Sequence, residues 1–332
     1  MYFHRRGVPG DWRVFVGLVL LLTPVARAQD EQRLREREVL DPARDEWVPR
    51  EAAPEVGIDA GRANLARGES DQAYRTLKDW VRKNPEDARQ IEGVYLLGEA
   101  YFQRKWYYQA YEQWDIVTEN TAGDLFYLAL RRQMDVARAL LAGEKRILWG
   151  GLLRVTARDE GVKILDRIWE RAPGTSLGEL ALRTKADYYF ERGDLMLAQQ
   201  TYATLAQEYP ESRFARAALL RSAEAAGAAF GGVKFDDRPL LDADERYAQL
   251  QASYPDFAER EGVATRRTAI REQRAQKDLE IARWYQRTRQ TGAAEFYYRG
   301  VVRDYRDTTA AQEAQQALRA LGIDDESAEV GT

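Results

Sequence analysis

Residues 177–210 read LGELALRTKADYYFERGDLMLAQQTYATLAQEYP, and the order of small, aromatic and turn residues within them decides the fold. Apolar side chains recur three and four positions apart up to Arg192, the spacing of one helical face. Gly193 breaks that pattern; a second helical run starts at Leu195 and stops at Tyr209, just before Pro210. With Ala198 as the small residue early in the second run, Tyr189 precedes it by nine positions, Tyr202 follows by four and Pro210 by twelve. A small residue lets two helices approach closely, and aromatic rings a turn away fill the space beside it. The unit is a helical hairpin that cannot cover its own apolar face alone, so it needs neighbours.

The same spacing supplies them. Ala110 aligns Leu97, Gly98 and Tyr101 before it and Trp114 after it. Ala73 aligns Gly61, Gly68 and Pro85; Ala243 aligns Tyr247 and Pro255; Ala294 aligns Tyr285 and Tyr298. A third unit fits less well, with its first helix over 124–142, its second over 159–172 and Gly161 in the small position. Similar stops close the units: KNPED at 83–87, RAPGT at 171–175, EYPES at 208–212, SYPDF at 253–257 and DYRDT at 304–308. Two helices per repeat with these offsets make the tetratricopeptide pattern. The sequence therefore predicts an all-α tetratricopeptide-repeat (TPR) solenoid of five to six helical hairpins. N-terminal repeats are expected over 57–173 and C-terminal repeats over 174–322, with a tail over 323–332.

Two hairpins carry insertions, GEKRILWGGLLRVTA at 143–157 and GAAFGGVKFDDR at 227–238. Each holds a Gly-Gly pair beside aromatic and aliphatic residues. Neither has a phosphate-loop spacing or a strand before it. Two readings are open for each: a loop tucked against the neighbouring repeat, or a partner contact.

At the start of the chain, Arg5, Arg6 and Arg13 flank an apolar run from Val14 to Val25, shorter than the roughly 20 residues a membrane-crossing helix needs. Ala26-Arg27-Ala28 follows with the small-x-small pattern of a cleavage site, so residues 1–28 read as a secretory signal and the chain as exported. Residues 29–56 are charged and carry three prolines, and a mobile leader with a short helix over Glu31–Val39 is expected there. The chain has no cysteine, which excludes disulfides, thiolate nucleophiles and cysteine metal sites. Its single histidine, His4, lies within the signal. Without residues 1–28, 46 basic face 53 acidic side chains, a formal charge of −7 that argues against nucleic-acid binding. Carboxylate-only catalysis passes this filter, but no acidic pair stands out. The expectation is a non-enzymatic protein with no catalytic residue, cofactor or metal.

The C-terminal half carries three features beyond the repeat. Phe230-Gly231-Gly232-Val233 with Asp236-Asp237-Arg238 forms an insertion before the second helix of one unit. A long charged helix then leads into Ala282–Tyr285, and Arg303-Asp304-Tyr305-Arg306-Asp307-Thr308 follows. Together these resemble the BamD (YfiO) family, the tetratricopeptide lipoproteins of the outer-membrane β-barrel assembly machinery. The resemblance spans about 177–320, while 57–173 fits more loosely as extra repeats. Family members are lipidated at a cysteine that this chain lacks, so membrane association is expected only through partners. The family's long helix contacts the barrel-assembly protein through basic residues; one such position falls on Gln273, beside Arg274, so the region rather than that residue is carried over.

The first helix of each TPR unit lines the concave side of the array. That places Tyr95, Glu99 and Phe102, and Arg183, Asp187 and Phe190, as candidates for a peptide groove in which rings take apolar side chains and charges fix orientation. Phe102 and Phe190 have a second fate open, packing between helices. Candidates for partner docking are Phe230 and the trio Arg267, Arg271 and Arg274, spaced by four and three along one helical face. The stretch around that trio reads equally as a solvated face. The family likeness implies binding of a β-barrel assembly protein or other envelope proteins and of unfolded client segments, in the periplasm or at the periplasmic face of the outer membrane. The alternative is a generic periplasmic TPR adaptor resembling the cell-division and Tol coordinator proteins.

Overall fold

The computed structural model describes residues 38–41, 46–49, 53–148 and 153–323; the signal reading of 1–28 lies outside them. Strands β1 (Glu38–Asp41) and β2 (Glu46–Pro49) pair antiparallel, Val39 opposite Val48 and Leu40 opposite Trp47. β-Branched and aromatic residues favour a ladder over a helix. The short helix expected over Glu31–Val39 is therefore not what Glu38 and Val39 form, and its remainder falls outside the described residues.

From Ala53 the helices come in hairpins. α1 (Ala53–Ala66) pairs with α2 (Ser70–Lys83), α3 (Gln90–Gln103) with α4 (Tyr107–Asn120), and α5 (Asp124–Leu141) with α6 (Arg158–Arg171). α7 (Ser176–Arg192) pairs with α8 (Leu195–Glu208) and α9 (Ala215–Ala228) with α10 (Arg238–Ser253). After the short α11 (Pro255–Arg260), the long α12 (Val263–Arg287) pairs with α13 (Thr291–Asp304), and α14 (Thr309–Ala320) closes the array. This is the all-α TPR solenoid that the spacing predicts, with six hairpins among the described residues.

The small positions explain why the hairpins close. Ala73, Ala110, Ala198, Ala243 and Ala294 are all fully buried. In the unit with the weakest pattern, a Cβ on Gly161 would stand 3.0 Å from Leu141 and 3.1 Å from the Ala137 carbonyl oxygen, so α6 needs glycine to lie on α5. Five positions before its alanine, the turn takes a left-handed backbone: Gly68 (φ 74°), Lys105 (φ 60°), Gly193 (φ 77°) and Arg289 (φ 59°). Two of those four places are held by residues with a side chain, which the left-handed region disfavours.

Four apolar clusters follow one another along the chain, from Ile58 to Ala100, Val94 to Ala181, Leu182 to Ile270 and Ala275 to Leu318. Each is built from neighbouring helices, as expected of a quasi-one-dimensional array. α12 joins the last two, giving Val263 and Ile270 to one and Ala275, Leu279 and Ala282 to the next.

The insertion at 143–157 forms a strand pair, β3 (Lys145–Leu148) with β4 (Leu153–Thr156), and residues 149–152 between them lie outside the described residues. The Gln109 amide donates to the Ile147 carbonyl at 2.6 Å, and the Arg146 guanidinium sits 3.5 Å from the Tyr108 ring centre. Of the two readings open for this insertion, β3 takes the first and tucks against α4.

Candidate functional site

Two open grooves run along the first helices of the units. One, of about 640 Å³, lies among α3, α5 and the start of α7 and is lined by Tyr95, Tyr127, Leu128, Arg131, Arg132 and Leu180 among others. The three candidates of this unit divide. Tyr95 lines the groove, and burial pushes its hydroxyl up to about 12, so it stays protonated at neutral pH. Glu99 is buried and accepts two parallel hydrogen bonds from Arg132, both 2.7 Å, a bidentate pair that orients the guanidinium. Phe102 packs between helices, edge-on to Tyr107 at 5.2 Å and tilted against Trp114 at 5.8 Å. Tyr127 and Leu128 are exposed in the same groove, two apolar residues on α5 that the repeat spacing does not single out.

The second groove, about 580 Å³, brings Arg183, Asp187 and Phe190 together with Tyr202, Phe214 and Arg221. The Asp187 carboxylate accepts from the Tyr202 hydroxyl at 2.6 Å. Arg183 lies 4.3 Å over the Phe214 ring and 3.7 Å from Asp187. Phe190 meets Tyr202 edge-on at 6.4 Å, beneath Arg221 at 5.6 Å. Rings and charges thus alternate along an open trough, the lining that suits an extended peptide.

α12 is built differently. Arg267 reaches back to Asp244 on α10, at 2.7 and 3.2 Å. Arg271 reaches forward to the Asp307 carboxylate and the Asp304 carbonyl, both at 2.7 Å. Arg274 and Lys277 share Asp237 at 3.1 and 3.2 Å. Glu272 accepts from the Thr309 N–H at 2.9 Å, its hydroxyl at 2.5 Å and the Ala310 N–H at 3.2 Å, holding the first turn of α14, where Thr308 is the N-cap. Arg271 and Arg274 also lie over the buried Tyr305 ring, at 5.6 and 5.9 Å. The run from Arg303 to Thr308 therefore works as a helix stop and a clasp: Tyr305 is the wedge, Asp307 the latch and Thr308 the cap.

The ionisation of this clasp follows from its contacts. Burial alone would push the Asp237 carboxyl up, but hydrogen bonds from Arg274 and Lys277 outweigh it and hold the group below its ordinary range. Glu272 behaves alike: burial raises it, and the bonds from Thr309 and Ala310 bring it lower still. The trio Arg267, Arg271 and Arg274 does share one face, beside a shallow hollow of about 350 Å³, with each guanidinium engaged by a carboxylate of this chain. Phe230 packs partly buried against the third apolar cluster. The acids that hold these arginines stand 23 to 37 positions away in sequence, beyond the reach of helical periodicity.

Among the described residues, no group of three or more histidine, cysteine, aspartate or glutamate side chains could hold a metal ion, and no helix is long and apolar enough to cross a membrane.

Residues 223–330 match a family described as YfiO, outer membrane lipoprotein. The match begins within α9 and takes in α10 to α14. The chain is also similar to solved TPR structures. The C-terminal part of a TPR protein from Cytophaga hutchinsonii is 10% identical, with 80% of this chain and 88% of that one covered and a TM-score of 0.37. A TPR protein from Parabacteroides merdae is 13% identical, with 80% and 98% covered and a TM-score of 0.36. PilW, a type IV pilus biogenesis factor, is 14% identical, with 79% and 98% covered and a TM-score of 0.28. No curated protein matches the chain. Its hairpins make it a tetratricopeptide-repeat protein, and its part from residue 223 to residue 330 resembles the BamD/YfiO outer membrane lipoproteins.

Proposed function

We propose that this protein is a non-enzymatic scaffold of the bacterial envelope that assists outer-membrane β-barrel protein assembly from the periplasmic side. The observation that carries the reading is the match over residues 223–330, which falls on the segment that α12 clasps together. In this reading the clasp holds a rigid docking body, with Arg267, Arg271 and Arg274 beside the hollow of α12 facing a β-barrel assembly protein. The two troughs upstream, with Tyr95 in one and Arg183, Asp187 and Phe190 in the other, take extended segments of unfolded client. Mechanism is then binding alone: apolar client side chains enter between rings, and paired charges on the trough walls orient the backbone.

The test is purification of the tagged chain from envelope extracts, with the bound proteins identified. A β-barrel assembly protein is the expected companion. Peptidoglycan-synthesis or Tol proteins in its place would favour the adaptor reading and overturn this one.

A further inference from the structure

The insertion at 227–238 projects an aromatic side chain and holds it in place. Gly232 adopts φ 107°, the Phe235 N–H donates to the Gly232 carbonyl at 3.0 Å, and a Cβ on Gly231 would stand 3.1 Å from the Phe235 ring. The Gly-Gly pair thus makes the turn and clears room for the ring. Two residues on, Asp237 is fastened to Arg274 and Lys277, so the loop is anchored to α12. Phe235 remains 63% exposed, and Trp284, one of the last residues of α12, is 50% exposed. The two rings border an open groove of about 600 Å³ whose lining includes Val233, Ile281 and Tyr285. The aromatic surface continues through Tyr285, stacked on Tyr297 at 5.3 Å, to Phe296, which is 72% exposed. Isolated exposed rings are ordinary, but a contiguous row around a groove marks an interaction surface.

Charge narrows the occupant. Lys234 and Arg287 line the groove, and neither has an ion-pair partner among the described residues. Of the acids in the same lining, Glu280 is paired with Arg283 at 2.6 Å, while Asp236 accepts the Arg238 backbone N–H at 3.1 Å and keeps its charge. Two unpaired cations against one unpaired carboxylate leave the groove with a positive excess, on a chain whose formal net charge is −4. A bilayer surface is flat and would leave such a concavity unfilled, whereas an extended chain can set more than one side chain into it.

We propose that this groove binds an extended acidic segment of a partner protein, with an aromatic or branched aliphatic side chain between Phe235 and Trp284 and carboxylates against Lys234 and Arg287. The groove is separate from the trough and docking assignments above, so it stands or falls without them. Mixed aromatic and guanidinium anchors of this kind usually carry most of a peptide's binding energy.

The experiment pans a phage-displayed library of random dodecapeptides on the full chain and on the Phe235→Ser/Trp284→Ala double variant. Circular dichroism checks that the helical content of the two is equal. Peptides enriched on the parent alone should be net negative with at least one aromatic, leucine or isoleucine residue. A synthetic copy should lose roughly tenfold or more in affinity on the double variant and again on Lys234→Glu/Arg287→Glu. Absence of any peptide that distinguishes parent from variant overturns the proposal, as do enriched peptides that are basic or lack an apolar anchor. Phosphatidylglycerol vesicles that sediment with the parent but not the double variant, with no selective peptide, would assign the surface to lipid instead. A dimer of the parent that the double variant cannot form, again with no selective peptide, would assign it to a second copy of this chain.

Discussion

The two ends of this solenoid lean on different forces, although each has an apolar cluster and ion pairs between its helices. From α1 to α4, large side chains lie in clearings made by glycine: Leu77 over Gly61, Trp80 over Gly57 and Gly93, and Trp114 over Gly98. From α12 to α14 the interface is filled by alanines such as Ala275, Ala282, Ala294, Ala310 and Ala314, and charges on α12 fasten its surroundings. Apolar packing is indifferent to charge screening and to carboxylate protonation, while a clasp of partly exposed ion pairs feels both. The family match falls on the clasped end. The lesson is that one repeat geometry can be held by ring-in-notch packing at one end and gain a polar clasp at the other, where α12 is fastened to the elements before and after it.

The largest effect should come from emptying a notch at the packed end. Trp114 is fully buried and its indole N–H donates to the Tyr95 carbonyl at 3.1 Å. Trp114→Ala should cost about 3–5 kcal/mol. Hydrogen exchange read helix by helix should show protection lost in α3 to α6 and kept in α12 to α14, since the apolar clusters of the two ends share no residue. Equal loss at both ends would mean that the two clusters unfold as one.

A smaller effect should come from the clasp. Glu272→Ala removes the carboxylate that holds the first turn of α14 and should cost about 1–2 kcal/mol, seen as faster exchange in α14 alone. Acid acts the same way. Asp237 and Glu272 both have carboxyls held below their ordinary range in the fold. Their contributions are present above the unfolded carboxylate range of about 4 and are lost as pH falls through the lower folded values. Limited proteolysis with an acid protease, on lowering the pH from 5 to 2, should cut first around α12 to α14. Earlier cutting between α1 and α4 would contradict the assignment of the two forces.

The smallest effect should come from the left-handed turns. Lys105 and Arg289 occupy left-handed turn positions that glycine holds at Gly68 and Gly193. Lys105→Gly and Arg289→Gly should each stabilise by a few tenths to about 1 kcal/mol, read as a rise in Tm. A fall would mean that the side chain is held by contacts worth more than the strain.

Local spacing made the hairpins legible, since the alanine, the aromatic one turn on and the terminal proline are all fixed by helix geometry within one unit. Even Gly161 in the least regular unit falls where a Cβ would crowd the facing helix. Less was legible where pairing crosses units. Spacing places Arg267, Arg271 and Arg274 on one face, but the acids that hold them arrive from α10, the 227–238 insertion and the turn before α14. Likewise the repeat spacing that placed Glu99 on the first helix of its unit could not reveal Arg132 on α5. The strand pairs were hidden because their segments are only four residues each, too short for an alternating pattern to stand out. Phe235 and Trp284 read as ordinary residues of an insertion and a helix end; only the anchored loop brings them to one groove.

The central claim, that the clasped end docks the assembly partner, is tested most directly by site-specific photocrosslinking in intact envelopes. A photoreactive residue replaces exposed Thr268, which lines the hollow beside Arg267 and Arg271 on α12, in one variant and exposed Tyr127 at the upstream trough in another. The expected result is an adduct with a β-barrel assembly protein from position 268 and none with that protein from position 127. An adduct with that protein only from position 127 would contradict it.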